Sequence, residues 1–192
     1  MAAPVPSPEK KRLREQMLAR RDALPPAERA RLSAILMERV LALPELARAS
    51  SVLATMAIGS EWDTAALMER ARRDGKTLVL PRVGGTPRRL EIYAVEDIAR
   101  DLKPGVWNIP EPDPERCRRV SLDEVDFALV PALAIDRRRY RVGYGAGYFD
   151  GLLAGRGAKP LCVTALPSQF HVDALPAEAH DVPVDLVISE LP

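Results

Sequence analysis

The sequence has few cysteines and no long apolar run, and each scarcity excludes a class of protein. Its two cysteines, Cys117 and Cys162, are too few for a disulfide framework and lack the spacing of a metal site. No run approaches the roughly 18 apolar residues that a membrane-spanning helix needs. The first residues, MAAPVPSPEKKRLREQ, contain no apolar segment typical of a secretory signal. We therefore expect a cytoplasmic protein without a membrane partner.

Net charge and aromatic residues are scarce as well. The 192 residues include 28 Lys and Arg against 27 Asp and Glu, and only 5% are aromatic. The sequence therefore lacks a basic stripe interleaved with aromatic residues, and we expect no nucleic-acid partner. Hydrophobic residues make up 47% of the chain, which is enough for a buried core. We expect a single domain over residues 1–192, and a monomer.

Periodicity and turn residues predict helices that alternate with strands. Ser7 caps a first helix that has Pro8 at its first position and ends near Ala23, and Pro26 opens a second helix that ends near Leu43. The segment LPEL adds one more turn. Strands are predicted over 51–58, 77–83, 89–95, 126–136, 160–166 and 184–189, helices from Asp63 or Thr64 to Arg73 and over 149–154, and a proline-rich loop over 102–115.

Most of the predicted strands are apolar without alternation, which is typical of parallel strands covered on both faces. We therefore predict an α/β fold, a three-layer αβα arrangement around a mainly parallel sheet. The two N-terminal helices are expected to pack on this body as a pair. A small separate helical arm is the alternative.

The stretch RVGYGAGYFD, residues 141–150, has three glycines in alternate positions, which weakens any helix or strand. It follows a predicted strand, and ligands of open α/β sheets bind at the carboxyl ends of strands. Glycines let backbone N–H groups approach phosphate oxygens, Arg141 adds positive charge, and Asp150 offers an oxygen ligand for Mg²⁺. The stretch therefore predicts a nucleotide-phosphate site with its metal. A glycine-rich turn without a ligand is the alternative, because the spacing matches neither the Walker pattern nor the dinucleotide fingerprint.

This stretch is also similar to a family signature. Arg141 and Val142 followed by GYGAGYFD resemble the R-L-G-x-G-x-G-Y-Y-D signature of 5-formyltetrahydrofolate cyclo-ligases, also called methenyltetrahydrofolate synthetases. Other motifs of that family are matched in order by Lys10-x-x-Leu13-Arg14, Glu61-Trp62-Asp63-Thr64, Pro81-Arg82, WNIPEP at 107–112 and HDVPVD at 180–185. The ordered set covers essentially the whole chain and is much more specific than any single motif.

The resemblance implies an enzyme that converts 5-formyltetrahydrofolate into 5,10-methenyltetrahydrofolate, with ATP as co-substrate, Mg²⁺ as cofactor, and ADP and phosphate as products. The formyl oxygen attacks the γ-phosphate of ATP, and a neighbouring folate nitrogen then closes the ring as phosphate leaves. Such phosphoryl transfer requires positioning and charge stabilisation more than covalent chemistry. The implied setting is one-carbon folate metabolism.

The resemblance also implies a role for each matched residue. Arg141 and Tyr144 are expected to be catalytic. ATP contacts are expected from Lys10, Arg14, Arg141, Val142, Gly143, Tyr144, Gly145, Ala146, Gly147, Tyr148 and Phe149. Folate contacts are expected from Met56, Glu61, Tyr144, Gly145, Ala146, Gly147 and Tyr148, and Mg²⁺ ligation from Asp150 and Asp181. Without the resemblance, the two N-terminal cations would be assigned to a solvated helix face, Met56 to the core and Asp181 to a turn.

Other positions carry further expectations. Arg82 is expected to hold a phosphate or the folate tail, or to pair with a nearby acid. Trp107 is expected to form a wall of the folate site or to anchor packing. His180 has no expected catalytic role. The chain departs from the family pattern at Phe149, which lacks the hydroxyl of a tyrosine. It also departs at Tyr140, which stands where the family often has glycine. If this position has a positive φ, a tyrosine there would be strained.

Two other functions compete with the cyclo-ligase. A paralogue of the same fold would bind folate or nucleotide without turnover. A sugar-phosphate isomerase or sensor domain has a related three-layer fold, and a fold alone does not assign a function. The isomerase would need no ATP, but it would need a carboxylate or lysine base beside the substrate carbon.

Overall fold

The computed structural model describes residues 7–85 and 89–191 of the chain. This part folds into six α-helices and twelve β-strands, and none of its helices is long and apolar enough to span a bilayer. The helices are α1 (Pro8–Asp22), α2 (Pro26–Leu41), α3 (Pro44–Arg48), α4 (Ala65–Arg73), α5 (Ile98–Asp101) and α6 (Tyr148–Leu153). The strands are β1 (Ser51–Leu53), β2 (Thr77–Gly84), β3 (Arg89–Val95), β4 (Leu102–Pro104), β5 (Pro110–Pro112), β6 (Arg118–Val120), β7 (Phe127–Leu129), β8 (Ala134–Asp136), β9 (Arg141–Val142), β10 (Leu161–Ala165), β11 (His171–Val172) and β12 (Leu186–Ile188).

A seven-stranded sheet in the order β12-β10-β7-β1-β2-β3-β6 forms the centre of the fold. The five strands from β12 to β2 pair in parallel, and β3 and β6 extend the sheet as antiparallel strands at one edge. Two small sheets, β11-β8-β9 and β4-β5, accompany it. The prediction of an α/β fold with a mainly parallel sheet is confirmed.

The parallel strands are apolar because their side chains are buried in the core. Val52 and Leu53 of β1, Phe127 of β7 and Val163 of β10 are fully buried. Helices α2 and α4 pack against each other and against strands of the sheet, and Leu36 of α2 is buried in the same core. The continuous apolar runs of the sequence therefore correspond to strands that are shielded from water.

The N-terminal helices pack on this body, as predicted. Ser7 caps α1 because its Oγ accepts a hydrogen bond from the N–H of Lys10 at 3.2 Å, and Pro8 occupies the first helical position. Met17 of α1 is buried in the core. This burial argues against a separate helical arm.

Several predicted segments differ from the structure. The predicted strand over 126–136 is wrong as one element, because it forms β7 and β8, which belong to different sheets. Pro131 lies between them, and a proline cannot donate the hydrogen bond that a central strand requires. The predicted strand over 51–58 ends at Leu53, and the predicted loop over 102–115 contains β4 and β5. The sequence also does not predict the short strands β6, β9 and β11.

The carboxyl ends of the parallel strands lead into segments that form the candidate site. Strand β1 ends at Leu53, before an irregular segment that reaches α4, and β7 ends at Leu129, before the turn to β8. Strands β8 and β9 pair as an antiparallel hairpin. The second strand of this hairpin runs directly into residues 143–147, which we call the glycine loop.

Candidate active site

A cleft of about 480 Å³ is formed where these segments meet. It is lined by α1, the turn before α4, the glycine loop with the start of α6, and the segment before β12. Among the predicted site residues, the cleft is lined by Lys10, Arg14, Glu61, Arg141, Val142, Gly143, Tyr144, Gly145, Ala146, Gly147, Tyr148, Phe149, Asp150 and Asp181. The fold therefore brings together side chains that lie up to 171 positions apart in the sequence.

The glycine loop has a backbone conformation that residues other than glycine rarely adopt. Gly145 has a φ of +102° and Gly147 a φ of +66°. Arg14 packs on the loop, because its Nε donates a hydrogen bond to the carbonyl oxygen of Gly143 at 2.7 Å. A Cβ at position 145 would lie 2.9 Å from the guanidinium carbon of Arg14. The backbone angle therefore favours glycine at 145, and a side chain there would also have to displace the guanidinium of Arg14.

Arg141 is a buried cation in the wall of the cleft, with 3% of its side chain exposed. Its Nη1 donates to the carbonyl oxygen of Val182 at 2.5 Å. Its Nη2 lies 3.2 Å from Asp150 Oδ1 but makes no hydrogen bond to a group of residues 7–85 or 89–191. Burial lowers the pKa of Arg141 below its ordinary value, and the carboxylate of Asp150 opposes this shift. A buried guanidinium with an unused donor is suited to bind an anionic oxygen.

Lys10 is buried and is not part of a solvated helix face. Its neighbours Lys11 and Arg12 are exposed, but only 7% of the Lys10 side chain is exposed. Its Nζ lies 2.5 Å from Asp181 Oδ2 and 3.3 Å from Glu178 Oε2. Lys10 therefore connects α1 to the segment that precedes β12.

The two acids predicted to bind Mg²⁺ have different surroundings. Asp181 lies with Glu178 and His180, and one potential ligand atom from each lies within 4.8 Å of the others. Within the described residues Asp150 is outside this group, and its Oδ1 accepts a hydrogen bond from the N–H of Val182 at 3.1 Å. Both acids nevertheless line the same cleft. Carboxylate oxygens are the ligands that Mg²⁺ prefers, so the donor set of this wall fits that ion.

Glu61 and Tyr144 form another polar part of the cleft. The carboxylate of Glu61 accepts a hydrogen bond from the N–H of Ile58 at 3.0 Å. The hydroxyl of Tyr144 accepts a hydrogen bond from Arg21 Nη2 at 2.6 Å, and the Arg21 guanidinium lies 5.6 Å from the centre of the tyrosine ring. Burial and the charge of Glu61 raise the pKa of Tyr144. The hydroxyl therefore keeps its proton at neutral pH and can donate a hydrogen bond.

Three other residues with predicted roles are placed as follows. Met56 does not line the cleft and packs, half-buried, against the hydrophobic core. Arg82 takes the second of its two expected roles, because its Nη1 lies 3.7 Å from Glu111 Oε2 and donates to the carbonyl oxygen of Pro112 at 3.1 Å. Trp107 lines the cleft with 72% of its surface exposed and a φ of +57°. An indole so exposed does not anchor packing.

The turn before Arg141 resolves the expected strain at Tyr140. The positive φ of this turn, +67°, belongs to Arg139. The N–H of Tyr140 donates to Asp136 Oδ1 at 3.0 Å, and its carbonyl oxygen accepts from the N–H of Asp136 at 2.9 Å. A tyrosine therefore fits this position without strain. Phe149 lines the cleft and also packs against the core, which suits a ring without a hydroxyl.

The family of the chain is decided by comparison with known protein families. Residues 6–190 match the profile of the 5-formyltetrahydrofolate cyclo-ligase family. The chain belongs to this family. The prediction of a ligase of the cyclo-ligase type is thereby confirmed.

Relatives of this cyclo-ligase align over nearly the full chain. The 5-formyltetrahydrofolate cyclo-ligase of Mycolicibacterium smegmatis is 29% identical over 192 residues, which cover 94% of this chain and 93% of the relative. That of Mus musculus is 26% identical over 199 residues, which cover 99% and 98%. The similarity to these relatives therefore extends along nearly the whole chain.

Two solved structures share the fold of this cyclo-ligase. The NMR structure of the Aquifex aeolicus 5,10-methenyltetrahydrofolate synthetase is 34% identical, with a TM-score of 0.83 over 95% of this chain and 90% of that chain. The 5,10-methenyltetrahydrofolate synthetase of Mycoplasma pneumoniae is 21% identical, with a TM-score of 0.75 over 94% and 98%. The second likeness supports the fold alone.

The cyclo-ligase motifs do not identify every residue of the cleft. Glu178 contacts Lys10 but lies outside the HDVPVD motif, and Leu90 and Ile58 line the cleft without a polar group that would mark them. His180 belongs to the motif and lies 3.3 Å from Glu178 through its Nε2. Lys10 is buried against two carboxylates, but the sequence around it gives no sign of that burial.

Proposed function

We propose that this cyclo-ligase converts 5-formyltetrahydrofolate into 5,10-methenyltetrahydrofolate, with ATP as co-substrate, Mg²⁺ as cofactor, and ADP and phosphate as products. The observation that carries the proposal is the convergence of the cations Lys10, Arg14 and Arg141 with the glycine loop in one cleft. The names of the relatives supply the substrate and the product.

The three cations and the glycine loop support binding of the ATP phosphates. Arg141 offers a buried Nη2 that pairs with Asp150 but has no hydrogen bond within the described part of the chain, and Arg14 holds the backbone of the loop through Gly143. Glycines without side chains let the loop N–H groups approach phosphate oxygens. Positive groups held in place before the reaction stabilise the charge that develops on the transferred phosphoryl oxygens.

The carboxylates of the cleft support binding of Mg²⁺. Asp181 and Glu178 would hold the ion together with Asp150, which lines the same cleft. Bound there, the ion would supply positive charge that offsets the negative charge of the phosphates. In the structure the ammonium of Lys10 lies against both Asp181 and Glu178. Lys10 can thus pair with these acids and, through its other N–H donors, with a phosphate.

Glu61, Tyr144 and Trp107 support binding of the folate. The pterin ring has an edge rich in N–H donors, for which the carboxylate of Glu61 is a suitable acceptor. The protonated hydroxyl of Tyr144 is a donor for a folate oxygen. The exposed indole of Trp107 offers an aromatic face for stacking. The cleft therefore has groups for both substrates.

The chemistry needs no covalent intermediate on the protein. The formyl oxygen attacks the γ-phosphorus of ATP, and the bond from that phosphorus to the bridging oxygen of ADP breaks. The neighbouring folate nitrogen then attacks the activated carbon and loses its proton, and phosphate leaves with the former formyl oxygen. The charge moves mainly among phosphoryl oxygens, which are the groups that Arg141, Arg14 and Lys10 are suited to hold.

The test is a turnover assay that follows absorbance in the band of 5,10-methenyltetrahydrofolate. The wild type is measured with 5-formyltetrahydrofolate, ATP and Mg²⁺ together and with each one omitted. We expect a rise only with all three present. We expect Asp150→Asn to reduce the rate about 100-fold or more, because it removes a cleft carboxylate. The matched control is Asp173→Asn, an aspartate that is 89% exposed in a surface pair with Arg137 and is expected to change the rate less than about twofold.

Circular dichroism confirms that each variant is folded. A folded wild type without any rise would overturn the proposed function and favour a silent paralogue that binds folate or nucleotide. A rise that Asp150→Asn leaves unchanged would keep the reaction and remove Asp150 from the metal site.

Membership of the cyclo-ligase family argues against the sugar-phosphate isomerase or sensor domain. A single domain, a monomeric state, a cytoplasmic location, a role in one-carbon metabolism and the lack of a nucleic-acid partner stay predictions.

A further inference from the structure

Arg21 is a buried cation that the family motifs do not include. It lies in the last turn of α1 with 3% of its surface exposed. In the part of the chain that the structure describes, its guanidinium hydrogen-bonds to two hydroxyl groups, and no carboxylate forms an ion pair with it. Burial of a charge without a counter-charge costs free energy. A role beyond packing would account for that cost.

The contacts of Arg21 join three segments of the chain. Its Nη2 donates to the hydroxyl of Tyr144 in the glycine loop at 2.6 Å. Its Nε donates to Ser60 Oγ at 2.9 Å, and Ser60 Oγ donates in turn to the carboxylate of Asp22. Because Ser60 precedes Glu61 directly, one guanidinium connects α1 with both of the polar groups proposed to contact folate.

Arg21 acts from behind the cleft surface. It lines a separate inner cavity of about 40 Å³ together with Glu61, Trp62 and Thr64, and it is not among the residues that line the cleft. A guanidinium only donates hydrogen bonds. Arg21 therefore uses an acceptor lone pair of the Tyr144 hydroxyl and leaves its proton for an acceptor, such as the nearby carboxylate of Glu61 or an oxygen of a bound ligand.

We propose that Arg21 is a positioning residue of the folate-binding face, which orients the Tyr144 hydroxyl as a hydrogen-bond donor and holds the Ser60–Glu61 turn in place. The role of this face in folate binding rests on the proposed function. The link between Arg21, Tyr144 and Ser60 does not, because it is made by contacts within the chain.

The first measurement is steady-state kinetics of Arg21→Met and Arg21→Lys. Methionine keeps much of the apolar volume of arginine but cannot donate a hydrogen bond to either hydroxyl. Lysine keeps the positive charge but lacks the planar guanidinium with its several N–H donors. The control is Arg12→Met, an exposed arginine of the same helix. We expect Arg21→Met to raise KM for 5-formyltetrahydrofolate about tenfold or more, with a smaller change in KM for ATP, and Arg12→Met to change neither by more than about twofold. Arg21→Lys is expected to fall between them.

A double mutant separates the link from a general loss of stability. Tyr144→Phe removes the hydroxyl that Arg21 holds. We expect the double variant Arg21→Met/Tyr144→Phe to raise KM for 5-formyltetrahydrofolate by less than the product of the two single-variant increases, because both substitutions remove the same interaction. The proposal would be overturned if the two single-variant increases in KM multiplied in the double variant. It would also be overturned if Arg21→Met behaved like Arg12→Met.

The second measurement needs no substrate and so keeps the two proposals apart. Amide hydrogen exchange of the free protein is compared for wild type, Arg21→Met, Arg21→Lys and Arg12→Met. We expect residues 58–61 and the glycine loop to exchange about tenfold faster in Arg21→Met, with α4 unchanged. Faster exchange with an inactive wild type would retain the link and overturn the function. Unchanged exchange in a folded Arg21 variant would overturn the link, whatever the activity.

Discussion

The two ends of the parallel sheet carry the same kinds of residue and use them differently. At the amino end, before β7, Asp126 Oδ1 lies 2.5 Å from Lys159 Nζ and Asp126 Oδ2 accepts the N–H of Ser50 at 2.8 Å. In the cleft, Lys10 Nζ lies 2.5 Å from Asp181 Oδ2. Both ends therefore hold a lysine–aspartate pair at the same distance.

The two ends differ in the hydrogen bonds that the polar groups around each ion pair form. At the amino end the polar groups bond to the backbone of adjacent segments, as when Ser51 Oγ donates to the carbonyl oxygen of Glu124 at 2.7 Å. In the cleft, Arg141 Nη2 pairs with Asp150 but forms no hydrogen bond with any residue that the structure describes, and the glycine loop has two positive φ angles. The comparison teaches that an ion pair alone does not mark a binding site. The pair in the cleft differs because it adjoins the glycine loop and a cavity of about 480 Å³.

The same substitution at both ends gives the largest expected contrast. Lys10→Met removes a cation from the cleft and leaves Asp181 and Glu178 without it. We expect kcat/KM to fall about 100-fold, which corresponds to roughly 2.7 kcal/mol of transition-state stabilisation. Lys159→Met removes an ammonium that is 59% exposed and is expected to change kcat/KM less than about twofold. Equal losses in the two variants would show that the lysines act through stability.

A smaller effect is expected from an added methyl group in the glycine loop. Gly145→Ala places an alanine at a φ of +102°, and its Cβ would lie 2.9 Å from the guanidinium carbon of Arg14. We expect KM for ATP to rise about tenfold, because the loop or Arg14 must shift. Gly151→Ala in α6 has open space around its Cβ and is the control, with KM unchanged. A Gly145→Ala variant with wild-type KM would mean that the loop conformation does not matter for ATP.

The smallest effect on activity is expected from Asp126→Asn, which acts on stability. The hydrogen bond from Lys159 lowers the pKa of Asp126 in the folded state. A lowered pKa contributes stability above the ordinary aspartate value of about 3.9, and this contribution is lost as the pH falls through the folded-state pKa. We expect the variant to lose about 1–2 kcal/mol of unfolding free energy at neutral pH. The difference in unfolding free energy between wild type and variant is expected to narrow below about pH 4.

Denaturant unfolding at several pH values checks this expectation, with turnover measured alongside. Asp173→Asn is the control and is expected to have the same unfolding free energy as the wild type. A loss of turnover in a folded Asp126→Asn would contradict the assignment of the amino end to structure.

Much of the fold could be predicted because local signals agree with the tertiary structure. The run 77–83 and the alternating run 89–95 form β2 and β3, and Ser7 caps α1 as expected. The segment 126–136 misleads because Phe127–Leu129 and Ala134–Asp136 are both buried. One continuous apolar run therefore hides the break at Pro131.

The candidate site was predictable only in part. Ordered motifs identify the residues of the glycine loop and the acids Asp150 and Asp181, because these positions match the family signature. The burial of Lys10 could not be predicted, since its partner Asp181 lies 171 positions away and its neighbours are solvated. Arg21 was equally hidden, because its partners lie 39 and 123 positions away. Such contacts depend on the assembled sheet and leave no local pattern.

The most direct test of this account is a titration of the ¹⁵N-labelled protein with MgATP, followed by amide chemical shifts. We predict large shifts at Gly143, Gly145 and Gly147, and unchanged amides at Ser51 and Asp126. Shifts at the amino end of the sheet, or no shifts in the glycine loop at saturating MgATP, would contradict the claim that the cleft binds the nucleotide.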